Sequence, residues 1–478
     1  MSLSDNADPK VASSTPHARP APTIPQQRPV RRRRALTWVL ATFAVVVTVA
    51  AAGGLVWQIA AVAAPTTGTF TTPEAYPPAD PAPVLTSSNA NAPVPDLAPI
   101  LPALLADARL NGLTGASFTD ALTGEVLYEQ DGSTPLTPAS SMKVVTATAA
   151  LLNLGPEYRI PTTVVEGPDE DSVVLVGGGD VTLTVDGEGY YSEYAQGASL
   201  QELADLVLEA RGGTAPTTVY LDTSVFTDNV GAKGVPPAEL GDMTAPMAPF
   251  MVDGGRLDNT EKYSGRHSDP AMQAATEFAA LLGAEVTLGT ATADAAEVAV
   301  VYSAPMAALA DSFLLTSDNL LADAVALQTA LAIEGTMTWA SMSAALLDTL
   351  EGLGIDTAGM VFHDGSGLSP LDRITANGFT QLLLGATDSK AASVFQSLPV
   401  AGYSGTLNDR FGTAEAGKGV VRAKTGTLSG VSSLTGSMTT ADGRLLVFSI
   451  ISNDSTTSGE AVETAMDEIA TAVSQCGC

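Results

Sequence analysis

Three short motifs in this sequence hold residues that could perform nucleophilic chemistry. The first, "PASSMK" at residues 138–143, places Ser140 three residues before Lys143. In a helix, residues three apart share a face and residues two apart do not, so Ser140 rather than Ser141 is predicted to lie beside the amine. A lysine that is neutral near pH 7 can remove the hydroxyl proton, provided that desolvation or a second cation lowers its pKa. On its own, this motif is more often an ordinary serine near a helix start with a surface lysine.

The second motif is the polar triplet Ser317, Asp318 and Asn319, which lies between the apolar runs "FLLT" and "LLADAVAL". A polar triplet in that position is predicted to lie at a turn or helix start, against the core. Capping of the helix by Ser317 or Asp318 is the structural alternative to a catalytic role.

The third motif is Lys424, Thr425 and Gly426 in "VRAKTGTLSG", a predicted strand. A glycine in mid-strand can mark the close approach of another backbone or of a ligand. Lys424 is a candidate for the second cation that would lower the pKa of Lys143. The alternative is an edge strand that a lysine protects from pairing.

The elements around these motifs predict an α+β fold. Hairpin-like alternation at residues 116–130 precedes the first motif, and three strand-like runs followed by a helix at residues 459–474 end the chain, with helical stretches between. A helix is also predicted over residues 97–110. Residues 156–300 differ, with short β-like runs, many glycines and isolated helices. We therefore expect a catalytic domain of residues 97–155 and 301–478, and an inserted subdomain at 156–300.

The first 96 residues have the composition of a membrane-anchored leader. Residues 1–34 are rich in proline, serine and arginine and predict a disordered cytoplasmic tail. Residues 35–63 carry no charge, follow "RRRR", and are long enough to span a bilayer, which predicts a transmembrane anchor with the remainder of the chain extracytoplasmic. A cleaved signal peptide, which would yield a secreted protein, is the alternative. Residues 64–96 are proline-rich and predict an extended spacer.

The charge distribution excludes a nucleic-acid partner. The whole chain carries −30, and because residues 1–34 are basic, the remainder carries −35. Such a surface repels phosphate backbones. The two cysteines, Cys476 and Cys478, are too few for a tetrahedral zinc site; a local disulfide, an intermolecular one and free thiols all remain open. No metal or cofactor is expected.

Together, the three motifs form the set shared by penicillin-binding proteins and class A β-lactamases. They occur here in the same order, and "GGGDVTL" (177–183), "DGSGLS" (364–369) and "LPVAGYSGTLNDRF" (398–411) extend the likeness. From about residue 97 to the C-terminus, the chain resembles the D-alanyl-D-alanine carboxypeptidase/endopeptidases of the class C low-molecular-mass penicillin-binding proteins. The resemblance implies a transpeptidase fold of the penicillin-binding protein/β-lactamase type: an antiparallel sheet flanked by helices, with an all-helical region.

The resemblance also implies a role for each motif residue. Ser140 would attack the carbonyl between two D-alanines of a peptidoglycan stem peptide, with Lys143 as general base, and Ser317 would relay the proton to the leaving amine. Lys424 would supply positive potential. The substrate would be bound by Asn319, Thr425, Gly426 and Thr427, and the backbone N–H groups of Ser140 and Thr427 would form the oxyanion hole. β-Lactams would be covalent inhibitors.

Two departures limit the resemblance within residues 156–300. Ser140 and Ser317 are 177 residues apart, which is short for two full inserted subdomains, and Val181 stands where the family usually has proline. No residue role is carried over there. Asp364 and its loop are expected to shape the site rather than to perform chemistry.

The nearest rival function is that of a β-lactamase. Class A enzymes deacylate with a glutamate, usually in Glu-x-x-x-Asn, and none of Glu334, Glu351 and Glu415 has an asparagine four residues later. A stable penicilloyl adduct on Ser140 is therefore expected. A non-catalytic module that binds peptidoglycan or senses β-lactams is the alternative from another class. A Ser-His-Asp triad through His267 or His363 has no motif in its support.

Overall fold

The computed structural model describes residues 89–226, 228 and 231–477. The predicted tail (1–34), anchor (35–63) and most of the predicted spacer (64–96) lie outside these residues, as does Cys478. Among the described helices, none is both long and apolar enough to cross a bilayer. The last part of the predicted spacer already contacts the domain: Asn89 N–H donates to the Gly443 carbonyl (2.8 Å), and Arg444 Nη1 donates to the Ala92 carbonyl (3.1 Å).

The first sheet joins the two ends of the domain. Its five strands are antiparallel and stand in the order β10–β11–β12–β1–β2. The strands are β1 (Leu113–Asp120), β2 (Val126–Gln130), β10 (Arg422–Leu428), β11 (Val431–Thr439) and β12 (Leu445–Asn453). Because β1 pairs with β12, in register at Phe118 and Phe448, the hairpin of the N-terminal part closes directly onto the C-terminal meander. The predicted hairpin and strands are confirmed.

Strand β12 is buried on both faces, and alternate side chains enter different cores. Phe448 and Ile450 face a cluster that includes Ile469 of the C-terminal helix. Val447 and Ile451 enter the other cluster. The sheet is therefore covered on both sides.

The described helices form two groups: one lies outside residues 156–300, in the part of the chain that carries the motifs, and the other lies within residues 156–300. The first group is α1 (Leu101–Leu105), α2 (Met142–Asn153), α5 (Met306–Thr316), α6 (Asn319–Glu334), α7 (Trp339–Gly352), α8 (Ala376–Thr387), α9 (Val394–Ser397) and α10 (Gly459–Ser474); the second is α3 (Leu200–Ala210) and α4 (Pro270–Leu282). Helices α2 and α6 are buried along most of their length, so the first motif begins a central helix of the core.

A second five-stranded sheet lies within residues 161–302, in the order β8–β6–β4–β3–β9. Its strands are β3 (Pro161–Glu166), β4 (Ser172–Gly177), β6 (Thr218–Asp222), β8 (Glu285–Leu288) and β9 (Glu297–Tyr302), and a short parallel pair is formed by β5 (Asp180–Leu183) and β7 (Phe250–Val252). Strands β4, β6 and β8 are parallel to one another and are connected through α3 and α4. Parallel pairing needs such crossovers, and the sequence analysis did not predict it.

The core of the helical region continues into this second sheet. Val164 and Leu175 of the sheet belong to the same buried cluster as Leu320 and Val325 of α6. Residues 156–300 (the 156–300 segment) therefore share a core with the helices that carry the motifs.

The predicted helix over residues 97–110 is wrong in its extent, since only Leu101–Leu105 is helical. The helix ends because Asp107 offers the backbone a local alternative: its carboxylate accepts the backbone N–H of Arg109 at 2.8 Å. The Arg109 guanidinium also pairs with Asp107 and with Glu468. These contacts fix a turn where apolar periodicity alone predicts more helix.

Candidate active site

The two adjacent serines of the first motif point in different directions. A 3-10 turn, Ala139–Ser141, precedes α2 and separates them. The Ser141 hydroxyl is buried; it lies 2.8 Å from Ser433 Oγ and donates to the Lys424 carbonyl (3.2 Å). Ser140 lines an open cleft, and its Oγ lies 3.0 Å from Lys143 Nζ. The structure thus places Ser140, as its spacing predicts, beside the amine.

Lys143 is fully buried and has three hydrogen-bond partners. Its Nζ lies 3.0 Å from Ser140 Oγ, 2.7 Å from Asn319 Oδ1 and 2.7 Å from the Ser366 carbonyl. Asn319 Oδ1 and the Ser366 carbonyl oxygen can only accept hydrogen bonds, whereas the Ser140 hydroxyl can also donate one. A neutral amine has two N–H bonds and one lone pair. When Lys143 is neutral, its N–H bonds can go to Asn319 and Ser366, and its lone pair then faces the Ser140 hydroxyl.

The environment of Lys143 lowers its pKa toward neutral pH. Burial lowers the pKa of Lys143 to about 8, and Lys262 acts in the same direction, while three nearby carboxylates raise it: Asp323, Asp364 and Asp318. Burial also lowers the pKa of Lys424 well below its usual range, and Lys143 and Lys262 add to that effect. Desolvation is thus the largest cause. Lys262, which the sequence analysis had not singled out, lowers the pKa of both lysines.

Ser317 and Asn319 occupy the junction between α5 and α6. Ser317 ends α5 in the left-handed conformation (φ 61°, ψ 36°), a position usually taken by glycine. Its side chain is half-buried and lines the same cleft as Ser140. Asn319 begins α6; its Oδ1 accepts from Lys143 and its Nδ2 donates to the Met243 carbonyl (3.1 Å). The second motif therefore meets the first through Asn319.

Asp318, the middle residue of the triplet, has a structural role. Its Oδ1 accepts the N–H of Leu321 (2.9 Å) and so caps α6, as the capping alternative predicts. Its Oδ2 accepts from Arg256 (2.9 Å) and from the Tyr191 hydroxyl (3.2 Å). Burial opposes ionisation of Asp318, but the Arg256 guanidinium and the Leu321 N–H outweigh it and lower its pKa.

The third motif lies on β10, which is one of the two edge strands of the first sheet. The strand passes close to the nucleophile turn because Gly426 has no side chain: a Cβ atom there would lie 2.6 Å from the Pro138 carbonyl and 3.0 Å from Ser140 N. The predicted close approach at this glycine is confirmed. Lys424 is fully buried, and its Nζ donates to the Thr425 carbonyl (2.8 Å).

The two threonines of the third motif line the cleft, with their hydroxyl groups already engaged. Thr425 Oγ1 donates to Thr406 Oγ1 (2.8 Å), and Thr427 Oγ1 donates to Glu463 Oε1 (2.6 Å). Glu463 in turn pairs with Arg410 (3.2 Å). A ligand carboxylate that binds these threonines must exchange both hydrogen bonds.

The loop after Met360 supports the catalytic lysine from behind. Asp364 accepts three backbone N–H groups, those of Ser366, Gly367 and Ser369, at 2.6–3.0 Å. This closed loop aims the Ser366 carbonyl at Lys143. At Gly367 (φ 77°), a Cβ atom would lie 1.8 Å from the Ala139 carbonyl, so the loop also packs directly on the nucleophile turn. Asp364 therefore shapes the site.

The chain matches the D-Ala-D-Ala carboxypeptidase 3 (S13) family over residues 97–281 and 258–473. Together the two matches cover most of the chain. The protein belongs to the S13 family. The resemblance inferred from the motifs is confirmed, and with it the assignment as a serine peptidase of the D-alanyl-D-alanine carboxypeptidase type.

Two curated relatives of this S13 protein that cover most of its length are carboxypeptidases. Carboxypeptidase DacB of Mycolicibacterium smegmatis is 38% identical over 468 residues, which cover 94% of this chain and 99% of the relative. Carboxypeptidase Rv3627c of Mycobacterium tuberculosis is 38% identical over 391 residues, covering 79% and 83%. Among solved structures, penicillin binding protein 4 (dacB) from Haemophilus influenzae matches with a TM-score of 0.65 at 20% identity, covering 77% of this chain and 97% of that one. This last match supports the penicillin-binding protein/β-lactamase-like fold.

The S13 cleft also holds charged residues that sequence reasoning missed. The cavity measures about 870 Å³, and five cationic side chains line it: Arg256, Lys262, Arg266, Arg373 and Arg410. Three of them come from the 156–300 segment. Arg410 lies within the quoted stretch 398–411, but no motif marks the other four, because they reach the cleft only through long-range packing. Five acidic side chains also line the cleft, so its charge is mixed: Glu239, Asp242, Asp318, Asp454 and Glu463.

Proposed function

We propose that this protein is an extracytoplasmic D-alanyl-D-alanine carboxypeptidase/endopeptidase that trims peptidoglycan stem peptides through an acyl-enzyme on Ser140. The observation that carries the proposal is the 3.0 Å contact between Ser140 Oγ and the buried Lys143 Nζ at the floor of the cleft. The names of the S13 family and of its carboxypeptidase relatives support the substrate class.

Acylation follows from the direction of the hydrogen bond at Lys143. The neutral amine removes the Ser140 proton while Oγ attacks the carbonyl carbon between the two D-alanines. Asn319 Oδ1 and the Ser366 carbonyl hold the other N–H bonds and keep the lone pair on the hydroxyl. The new proton on Lys143 is then available, through the Ser317 hydroxyl, to the departing amine. The C–N bond breaks, D-alanine leaves, and the acyl group remains on Ser140.

The tetrahedral oxyanion requires N–H donors at the junction of β10 and the nucleophile turn. Because Gly426 brings β10 against Ser140 N, we assign the oxyanion hole to the backbone N–H groups of Ser140 and Thr427. Such preorganised donors contribute about 3–4 kcal/mol each to lowering the barrier. Residues 399–401 pair with the start of β10, and the rest of that edge would offer the substrate backbone a strand to pair with. Thr425 and Thr427 would then bind the terminal carboxylate, and Lys424 would supply positive potential in its protonated form.

β-Lactams should acylate the same serine. Penicillin binding protein 4 from Haemophilus influenzae has been observed in complex with a β-lactam, which supports β-lactam binding here. Hydrolysis of the adduct should be slow because the sequence lacks the deacylating glutamate of class A β-lactamases. Rapid turnover of nitrocefin would instead favour the β-lactamase alternative.

We further propose that residues 35–63 anchor the protein in the membrane, with residues 1–34 in the cytoplasm and residues 64–96 as a spacer. The uncharged run after "RRRR" supports this topology. The catalytic domain would comprise residues 97–155 and 301–478, with the 156–300 segment as an inserted subdomain. N-terminal sequencing of the mature protein tests the anchor: a new N-terminus at Ala64 would show signal cleavage and a secreted enzyme.

The proposed activity is tested by mass spectrometry of the full chain. Incubation with benzylpenicillin should add one penicilloyl group at Ser140, and incubation with purified pentapeptide muropeptides should release D-alanine. Crosslinked muropeptides in a parallel sample report endopeptidase activity. Release of D-alanine from none of these substrates would contradict the enzyme assignment and favour the non-catalytic module.

A further inference from the structure

Ser317 is held in a conformation that non-glycine residues rarely adopt. Its φ of 61° places it in the left-handed region, where glycine is the usual residue at the end of a helix. A glycine at this position would lack the hydroxyl that the proposed proton relay needs. The surrounding structure must therefore hold Ser317 in place.

Both neighbours of Ser317 are held by cations from one stretch of the 156–300 segment. Lys262 Nζ donates to the carbonyl of Thr316 at 2.5 Å and so satisfies one of the free carbonyls at the end of α5. Arg256 Nη2 donates to Asp318 Oδ2 at 2.9 Å, and both side chains of this ion pair are almost fully buried. One contact lies immediately before Ser317 and the other immediately after it.

The stretch that carries these cations is closed by its own hydrogen bonds. Arg256 and Arg266 form an isolated β-bridge, and Leu257 N–H donates to the Gly265 carbonyl at 2.8 Å. The Arg256 guanidinium also lies over the ring of Tyr190, 3.7 Å from its centroid. Residues 256–266 therefore present Lys262 and Arg256 to the α5–α6 junction from a fixed loop.

We propose that Lys262 and Arg256 are positioning residues that hold Ser317 from both sides, so that the active site is complete only with the 156–300 segment in place. The inference rests on the proposed function, since it assigns a task to Ser317. Neither residue needs to touch the substrate. Lys262 also lines the cleft, where its charge acts on both catalytic lysines.

The charge of Lys262 makes its role measurable. The charged groups that act on Lys143 come from α6, the loop after Met360, β10 and the 156–300 segment: Asp318, Asp323, Asp364, Lys424 and Lys262. Removing the Lys262 charge removes a repulsion, so the pKa of Lys143 rises. Lys143 then becomes a neutral base only at higher pH. On the acid side of the profile, the pH at which the acylation rate falls therefore increases by about 0.5 to 1 pH unit.

The experiment measures the rate constant of Ser140 acylation by a fluorescent penicillin against pH in the full chain. Lys262→Met and Lys262→Gln should both move the acid limb upward and lower the rate at pH 7 by about three- to ten-fold. Lys262→Arg, which keeps the charge and a donor, should restore the wild-type profile. Lys390→Met, which removes an exposed lysine, is the control and should leave the profile unchanged. Thermal unfolding midpoints show that each variant is folded.

The possible outcomes separate this inference from the proposed function. Wild-type acylation profiles together with wild-type rates of D-alanine release in both Lys262→Met and Lys262→Gln would overturn the inference and leave the proposed function intact. Unchanged penicillin acylation with a raised KM for muropeptides would also overturn it, because Lys262 would then bind substrate. Wild-type protein that neither forms the adduct nor releases D-alanine would overturn the proposed function, and the inference with it.

Discussion

Lys143 Nζ lies 3.0 Å from Ser140 Oγ and is held on its other sides by Asn319 Oδ1 and the Ser366 carbonyl. Both of these supporting oxygens are acceptors, so the only partner that can donate a proton to the amine is the Ser140 hydroxyl. The geometry makes a neutral Lys143 a base directed at one serine. Because burial lowers the pKa of Lys143 to about 8, that neutral form is accessible near physiological pH.

The choice between the adjacent serines can be tested by replacing each one. Ser140→Ala should abolish both the penicilloyl adduct and D-alanine release, since it removes the hydroxyl that lies 3.0 Å from Lys143 Nζ. Ser141→Ala is the matched variant: it removes buried hydrogen bonds to Ser433 and to Lys424, at about 1 kcal/mol of stability, but should keep the adduct. Mass spectrometry after incubation with penicillin shows whether each variant carries the penicilloyl adduct. An adduct that survives in Ser140→Ala would refute the assignment of the nucleophile.

The acylation rate should depend on pH through Lys143. Below a pH of about 8 the amine becomes protonated, and the rate should fall about tenfold per pH unit well below that value, since only the neutral amine can accept the serine proton. Above a pH of about 8 the rate should level off. Stopped-flow measurement of acylation by a fluorescent penicillin, between about pH 5.5 and pH 9.5, gives this profile. The range extends about two pH units below the pKa of Lys143. A rate independent of pH across that range would show that Lys143 is not the base.

Because β10 lies so close to the nucleophile turn, we expect a single added methyl group at Gly426 to change both acylation and stability. In Gly426→Ala, the new Cβ would lie 2.6 Å from the Pro138 carbonyl and 2.3 Å from Ser433 Oγ, so the strand must move away. We expect acylation to slow on the order of 100-fold, as for a displacement of about 1 Å, and the free energy of unfolding to fall by about 1–3 kcal/mol.

Gly412→Ala provides the control for that substitution, because a Cβ atom at Gly412 would have no neighbour within 4 Å. Its acylation rate should match that of the wild type. Equal rates in Gly426→Ala and Gly412→Ala would contradict the packing of β10 against Ser140.

A buried ion pair on the first sheet should determine stability without touching the cleft. Arg444 Nε donates to Asp120 Oδ2 at 2.6 Å, and both side chains are buried. Asp120→Ala leaves the guanidinium without its carboxylate partner and should lower the free energy of unfolding by about 3–5 kcal/mol. Denaturant unfolding measures the loss.

The exposed pair between Arg211 and Glu166 is the matched comparison, since Glu166 is 48% exposed. Glu166→Ala should cost less than about 1 kcal/mol. In both variants the penicilloyl adduct should still form, because neither pair contacts the active site. If both variants lost a similar amount of unfolding free energy, the result would contradict the role assigned to burial.

The local sequence determined most elements of the first sheet and of the helices around the motifs. The hairpin at β1 and β2, the helix after Ser140, and the three final strands with α10 all follow from apolar periodicity and turn residues, which act over a few positions. The helix over residues 97–110 was overestimated because the side-chain contacts of Asp107 and Arg109 compete with it. The parallel strands of the 156–300 segment were also missed, since strand order depends on contacts between distant residues.

The three motifs, in their order, were sufficient to identify the family and to name the nucleophile and its neighbours. Residue spacing alone selected Ser140 over Ser141, because helical geometry is a local property. Only the tertiary structure decided which side chains lie close enough to change the pKa of Lys143 or to hold Ser317. It showed that burial is the main cause that lowers the pKa of Lys143, and that Lys262, which no motif marks, adds to that effect. It also placed Lys262 and Arg256 on either side of Ser317. Desolvation and long-range contacts depend on the packing of segments far apart in the chain, and no local pattern encodes them.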